Sequence, residues 1–353
     1  LHEFAKKAWR RPITEDETKK LDALYFASRA KELDRESSAR EVLVRVLVSP
    51  NFLFKAETLP QVAEAKPEDM PLNAHELASR LSYFLWASMP DWDLRKAADD
   101  GSLLKPEVLA AQTKRMLRDP KATALAKEFA GQWLKFNGFD SHNGVDEKKF
   151  PEFAAELRAD MFREVVEFFS HLIRDDRSVG DIIGGGYTFV NERLARHYGI
   201  PGVTGGDFRE VKAAQFHRGG LLGMGAILTK TSRPNRTSPV VRGDYLYQVV
   251  LGFSSPPPPP NVPKLPDSAV KPASLREALM IHRTDAACAV CHERIDPLGF
   301  ALESFDPIGR LRIGDEVGGK IDDTGELKDG TKFQGLTGLR DYLKKNEANF
   351  TTQ

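Results

Sequence analysis

The residues best suited to chemistry are Cys288-Ala289-Val290-Cys291-His292, which form the pattern C-x-x-C-H. In this pattern each cysteine thiol adds to one vinyl group of haem, and the following histidine becomes an axial ligand of the iron. The chain has only 2 cysteines, and both lie in this motif, so no other thiol competes for attachment. The pattern predicts one covalent haem c, held by Cys288 and Cys291, with its iron bound by His292.

Three other uses of two cysteines stay open beside haem. A structural zinc site normally takes four Cys or His ligands, but the chain has no second cysteine pair and no histidine pair after the motif. A redox dithiol of the thioredoxin type leaves His292 unexplained and lacks a βαβ pattern around it. A disulfide across two intervening residues is strained. Haem c is therefore the favoured reading.

Composition describes a soluble globular protein without a strong electrostatic field. The 353 residues exceed one typical core, which predicts two or three domains. Lys+Arg and Asp+Glu are 51 each, so nothing in the net charge indicates a nucleic-acid partner. The longest apolar stretch, Leu221 to Leu228, is interrupted by glycines and is too short to span a bilayer.

The motif also predicts the compartment. Haem c is attached on the outer side of the energised membrane, so we expect an exported protein, periplasmic or at the cell surface. The lack of any cysteine outside the motif agrees with such a compartment. The chain opens on Leu1 instead of Met and shows no signal peptide, so we expect a processed chain or a fragment.

Capping boxes and helical periodicity predict a mainly α protein in the first 200 residues. Thr14 with Glu17 opens one helix, Ser38 opens another, and Asn73 with Glu76 opens a third. Further helices are predicted over 106–118, 120–136, 151–174 and 191–198.

The second half is less regular. Ser238-Pro239 is a helix start, with serine as the N-cap and proline in the first turn. Pro256 to Pro260 predict a polyproline II spacer, and a ligand for an SH3-like partner is the alternative. A capping box at Ser274-Glu277 opens a helix toward the motif.

Two turns, Asp296-Gly299 and Asp306-Gly309, follow the motif. The glycine-rich tail predicts a small hairpin around 322–325 and a last helix over 336–345. The expected fold is mainly α, with a helical c-type haem domain and a small C-terminal tail that contains a β-hairpin. The expected segments are 1–58, 70–199, 200–312 (haem c, with the polyproline linker 256–260) and 313–353.

Five stretches resemble, in the same order, the planctomycete-type multi-domain cytochrome c proteins. They are Trp9-Arg10-Arg11-Pro12, Glu76 to Trp86, Asn191 to Gly199, Arg236-Thr237-Ser238-Pro239 and the haem stretch His282 to Arg310. Members of this family are large exported chains of stacked domains, mostly of unknown function. The resemblance implies haem, export and electron transfer to a redox partner protein or to further haem domains, and it implies no substrate.

The second axial ligand decides the chemistry of the iron. Residues 293 to 353 contain neither Met nor His, so this ligand lies upstream, lies on a partner, or is missing. His282 lies six residues before Cys288 on the apolar face of a helix, and Met224 lies in a glycine run that allows close backbone approach. His217 is a weaker third candidate. For His282 and Met224, a purely structural role in the core stays open.

Arginines can pair with the haem propionates, because the guanidinium group matches carboxylates with two hydrogen bonds, and an ordinary surface position is the alternative for each of them. The candidates are Arg283 and Arg310 beside the motif, with Arg236 and Arg242 further upstream. With two axial ligands the module transfers electrons. With an open iron face it is a haem enzyme of the peroxidase or oxygenase type. A third reading treats the first 200 residues as an assembly scaffold, with haem as a structural cross-link.

Overall fold

The structure is a computed structural model that describes residues 1–55, 57, 71–254, 276–277, 279, 286–314 and 320–346, without the side chains of 286–288 and 290. Among the described residues, 59% are helical and 5% are in strands, which confirms the mainly α class. The chain divides into two compact units, Leu1–Leu125 and Ala126–Gln353. The division into four segments predicted from the sequence stays a prediction.

Among the described residues of the first unit, all regular secondary structure is helical. A small core of alanines and aliphatic side chains around Trp9, Leu21, Val42 and Val46 joins its first three helices. Short 3-10 turns at Ser102–Leu104 and Pro120–Ala122 connect the later ones. The helices are α1 (His2–Ala8), α2 (Glu15–Ala30), α3 (Arg35–Leu47), α4 (Pro50–Leu53), α5 (Ala74–Trp86), α6 (Trp92–Asp99), α7 (Pro106–Arg118) and α8 (Thr123–Leu125).

Side-chain caps mark the beginning of four of these helices, α2, α3, α5 and α6. The capping boxes predicted at Thr14 and Asn73 are both present, with reciprocal hydrogen bonds to Glu17 and Glu76. The start predicted at Ser38 is wrong, because α3 begins after Asp34, which accepts from the Ser37 amide at 2.7 Å. Ser38 is buried inside α3, and its hydroxyl donates to the Asp34 carbonyl at 2.8 Å. Aspartate and serine are both good N-cap residues. Ser38 lies on the buried face of α3 with Val42 and Val46, so Asp34 is the residue that caps the helix.

The second unit combines helices with two small sheets. Its helices are α9 (Gly131–Trp133), α10 (Ala155–Arg174), α11 (Asp181–Gly184), α12 (Glu192–Tyr198), α13 (Gly225–Lys230), α14 (Pro239–Tyr245), α15 (Ala286–Phe300) and α16 (Gly335–Lys345). The helix predicted over 120–136 is interrupted: a π turn spans Ala126–Ala130 between α8 and α9.

Each sheet is an antiparallel pair of strands. A hairpin is present in the tail as predicted, formed by β3 (Thr324–Glu326) and β4 (Lys332–Gln334). Its turn lies at 327–331, a few residues after the predicted position of 322–325. The other pair, β1 (Tyr187–Val190) and β2 (Arg209–Lys212), is absent from the sequence-based expectation. Each strand is 4 residues long, and α12 lies between them, so neither alternation nor a tight turn marks them.

A buried carboxyl group on α10 connects the sheet of β1 and β2 to the hydrophobic core of the second unit. Glu164 of α10 accepts from the Thr188 hydroxyl at 2.5 Å and from the Tyr198 hydroxyl at 2.6 Å. The Tyr198 oxygen in turn accepts from the Gly225 amide at 2.7 Å, and the Arg218 guanidinium stacks 3.7 Å from the Tyr198 ring centroid. Burial raises the pKa of Glu164 to about 7. This network fixes the start of α13, and with it the position of Met224.

The segment that carries the motif is more helical than expected. The turn predicted at Asp296-Gly299 is wrong, because α15 continues through Pro297 to Phe300. Proline costs one helical hydrogen bond, but the close packing of α15 on α14 holds the helix past this point. The turn at Asp306-Gly309 is confirmed: the Gly309 amide donates to the Asp306 carbonyl at 3.1 Å, and Gly309 has φ +78°.

Candidate functional site

The three motif residues lie on one helix. Cys288, Cys291 and His292 all belong to α15, and positions three and four apart on a helix share one face. Cys291 is a free, half-buried thiol. The side chain of Cys288 lies outside the described residues. The residue types, two cysteines followed by a histidine, fit a haem attached through two thioethers with a histidine ligand.

A buried aspartate fixes the ring of His292. Nδ1 of His292 lies 3.0 Å from Oδ1 and 3.1 Å from Oδ2 of Asp296, one helical turn later. The Asp296 side chain is 0% exposed and that of His292 is 15% exposed. A carboxylate accepts the Nδ1 proton, which assigns the tautomer and leaves the Nε2 lone pair available to iron. The sequence does not mark Asp296 as a site residue, because the local preferences of Asp296-Gly299 predict a turn.

Two glycines let the motif helix touch its neighbour. A Cβ atom on Gly243 of α14 would overlap the Ile295 carbonyl oxygen, and a Cβ atom on Gly299 of α15 would overlap the Pro239 carbonyl oxygen. The two backbones therefore meet directly, and any side chain at either position would push them apart. The sequence does not predict this close contact between α14 and α15, because the two glycines are 56 positions apart and no local pattern connects them.

Arg242 stabilises the chain that follows the motif helix. Its side chain is fully buried and donates to the carbonyl oxygens of Leu302, Phe305 and Asp306 at 2.6 to 2.9 Å. Glu303 lies 3.5 Å from the same guanidinium and also accepts from the Thr237 hydroxyl at 2.7 Å. Burial lowers the pKa of Arg242 to about 10. The structure thus gives Arg242 a capping role in the turns after α15.

The proposed propionate partners are only partly described. Arg310 donates from Nε to Asp306 at 2.7 Å and forms an ion pair with Glu152. Arg283 lies outside the described residues. Propionate binding by either arginine stays a prediction.

The candidate second ligands lie in different surroundings. Met224 is fully buried in the main core of the second unit, directly before α13. His217 is exposed and has φ +56°, at the end of a 3-10 turn. His282 lies outside the described residues, so the identity of the second ligand stays a prediction.

Across the described part of the chain, no group of three or more His, Cys, Asp or Glu side chains is placed to hold a metal ion. The same residues include no helix that is long and apolar enough to cross a bilayer.

The first unit has a cleft of about 810 Å³ whose three arginines make hydrogen bonds within the unit. Arg11 forms two hydrogen bonds with Glu17, Arg80 forms three with Glu57, and the buried Arg10 donates to backbone carbonyls on either side. Neither cysteine of the chain lies in this unit.

Three family models match the chain in consecutive order. They are PSD5, a protein of unknown function (DUF1595), over residues 1–57; PSD4, a protein of unknown function (DUF1592), over 72–200; and PSCyt3, a protein of unknown function (DUF1588), over 218–315. The PSCyt3 match contains the whole C-x-x-C-H motif. No curated protein and no solved structure matches the chain.

Proposed function

Because the chain belongs to the planctomycete-type cytochrome c proteins, we propose that it is an exported c-type cytochrome module. It carries one covalent haem and transfers electrons to a redox partner or to further haem domains. The observation that carries this proposal is the placement of the only two cysteines and His292 on one helix, within the match to the cytochrome-type domain.

The residues around the motif support a fixed attachment site. Haem iron, when bound, supplies a one-electron couple whose potential depends on the axial ligands and their hydrogen bonds. Asp296 holds the His292 ring by its Nδ1 edge, and Gly243 and Gly299 hold α15 against α14. Arg242 holds the turns after α15 in place through their carbonyl groups. A ligand held this rigidly needs little rearrangement when the iron changes charge.

A haem enzyme of the peroxidase or oxygenase type is the second candidate. Its support is that residues 293–353 contain neither Met nor His, so no side chain of either type within this stretch closes the second face of the iron. An upstream ligand or a partner's ligand closes that face in the electron-transfer reading. The two functions therefore differ in whether small ligands reach the iron.

Replacing His282 by alanine separates these two candidates. If His282 is the second ligand, the parent protein is low-spin in visible spectra and unchanged by cyanide, whereas His282→Ala turns high-spin and binds cyanide and carbon monoxide. Met224→Leu, which preserves the volume of a fully buried side chain, leaves the spectrum unchanged.

A parent protein that binds cyanide at once contradicts the closed site and favours the enzyme. A closed parent whose spectrum His282→Ala leaves unchanged excludes His282. A spectrum altered by Met224→Leu assigns the ligand to Met224.

A further inference from the structure

The contact between His292 and Asp296 differs in solvent exposure from a second His–Asp pair with the same spacing in the same unit. His171 and Asp175 have the same four-residue spacing and lie 2.7 Å apart, but the Asp175 side chain is 42% exposed. Asp296 is 0% exposed and meets Nδ1 of His292 with both carboxylate oxygens. Water screens the first pair and is excluded from the second, so only the second pair is strengthened by a low dielectric.

A buried carboxylate is costly unless it is paired and hydrogen-bonded. Helix stability alone gives little reason to bury one here, because an exposed pair with this spacing contributes only about 0.3–0.5 kcal/mol. A ring that must keep one nitrogen protonated and aim the other at a metal gives a stronger reason. Ligating histidines characteristically donate their second ring N–H to a carboxylate or carbonyl, which sets the tautomer and raises ligand basicity.

We propose that Asp296 is the positioning residue that holds Nδ1 of His292 and lowers the midpoint potential of the iron bound at Nε2. The inference rests on the proposed function, because it needs the iron to bind His292. A hydrogen bond from Nδ1–H to a carboxylate makes the imidazole a stronger electron donor, and the buried negative charge acts in the same direction. Both effects favour the ferric over the ferrous state.

The test is the midpoint potential of Asp296→Asn in the full chain loaded with haem. Asparagine keeps an acceptor oxygen within reach of Nδ1 but removes the charge. We expect the potential to rise, with the ratio of ferrous to ferric iron at a fixed potential increasing at least tenfold. For a one-electron couple this corresponds to about 59 mV.

Asp175→Asn is the matched control. This variant also removes one carboxylate charge four residues after a histidine in the same unit, but that histidine, His171, is not in the motif. We expect its midpoint potential to equal that of the parent. An Asp296→Asn protein with covalent haem and a ferrous-to-ferric ratio within twofold of the parent would overturn the assignment.

Two further results complete the test. If Asp296→Asn accumulates without haem, the ferrous parent is examined by NMR. A slowly exchanging His292 Hδ1 with a nuclear Overhauser effect to the β protons of Asp296 supports the contact, and a rapidly exchanging Hδ1 without one overturns it. A parent chain that carries no haem overturns the proposed function together with this inference, whereas an unshifted potential in a haem-loaded variant overturns the role of Asp296 alone.

Discussion

Replacing Arg242 with alanine is expected to destabilise the protein by about 3–5 kcal/mol, the range found when one partner of a buried ion pair is removed. The guanidinium is fully buried, donates hydrogen bonds to the carbonyl oxygens of Leu302, Phe305 and Asp306, and forms an ion pair with Glu303. Alanine leaves these acceptors without that donor in a site closed to water, and each unsatisfied group costs about 1–3 kcal/mol. Urea unfolding followed by circular dichroism measures the loss.

Arg196→Ala is the control for this prediction. Arg196 also pairs with a glutamate, Glu192, but its side chain is 76% exposed. Because exposed helical pairs contribute little, we expect a loss of about 0.5 kcal/mol or less. Equal losses for the two variants would mean that the carbonyl cluster after α15 does not depend on Arg242.

Replacing Gly243 with alanine is expected to force the motif helix away from α14. The added methyl group would overlap the Ile295 carbonyl oxygen, and backbone atoms cannot move aside as a flexible side chain does. Overpacking of this kind typically costs about 1–3 kcal/mol, and a clash with backbone belongs at the upper end. The midpoint of thermal unfolding should fall by several degrees.

Gly206→Ala provides the matched control, because a Cβ atom there meets nothing within 4 Å and no left-handed backbone angle is required. We expect its unfolding midpoint to match the parent. If Gly243→Ala unfolds at the same temperature as Gly206→Ala, the direct contact between the two helices does not exist.

The sequence predicted helix starts well where the signal is local. Thr14, Asn73, Asn191 and Ser238 each accept a backbone N–H of the first turn, as their residue types and positions indicate. α7, predicted over 106–118, has those bounds in the structure. Capping depends on four or five consecutive residues, so the sequence usually carries the signal. Where two capping residues lie close together, as Asp34 and Ser38 do, the buried face of the helix determines which one is the cap.

Elements that depend on distant partners were not predictable in the same way. β1 pairs with β2 across α12, and neither strand is long enough to show alternation. Pro297 and Gly299 read as a turn because their local preferences favour one. Packing against Pro239 and Gly243, more than fifty positions earlier in the sequence, keeps them helical.

The site was predictable to the same extent. The motif predicts the roles of Cys288, Cys291 and His292, because the chemistry of haem attachment requires that order of residue types. The contact between Asp296 and His292 can be recognised only when α15 is known to continue through residue 296. Side chains four residues apart are neighbours on a helix, but they are not neighbours in a turn. Arg242 reads from the sequence as a surface arginine or a propionate partner, and only its burial reveals its contacts with carbonyl groups.

The intact mass of the protein under denaturing conditions tests the central claim most directly. Thioether bonds survive denaturation, so a c-type cytochrome keeps its haem when every noncovalent contact is lost. The account predicts a mass equal to the polypeptide plus one haem, and the mass of the bare polypeptide for a variant in which both Cys288 and Cys291 are replaced by alanine. A parent protein with the mass of the bare polypeptide, after expression with a functioning haem-attachment system, would contradict it.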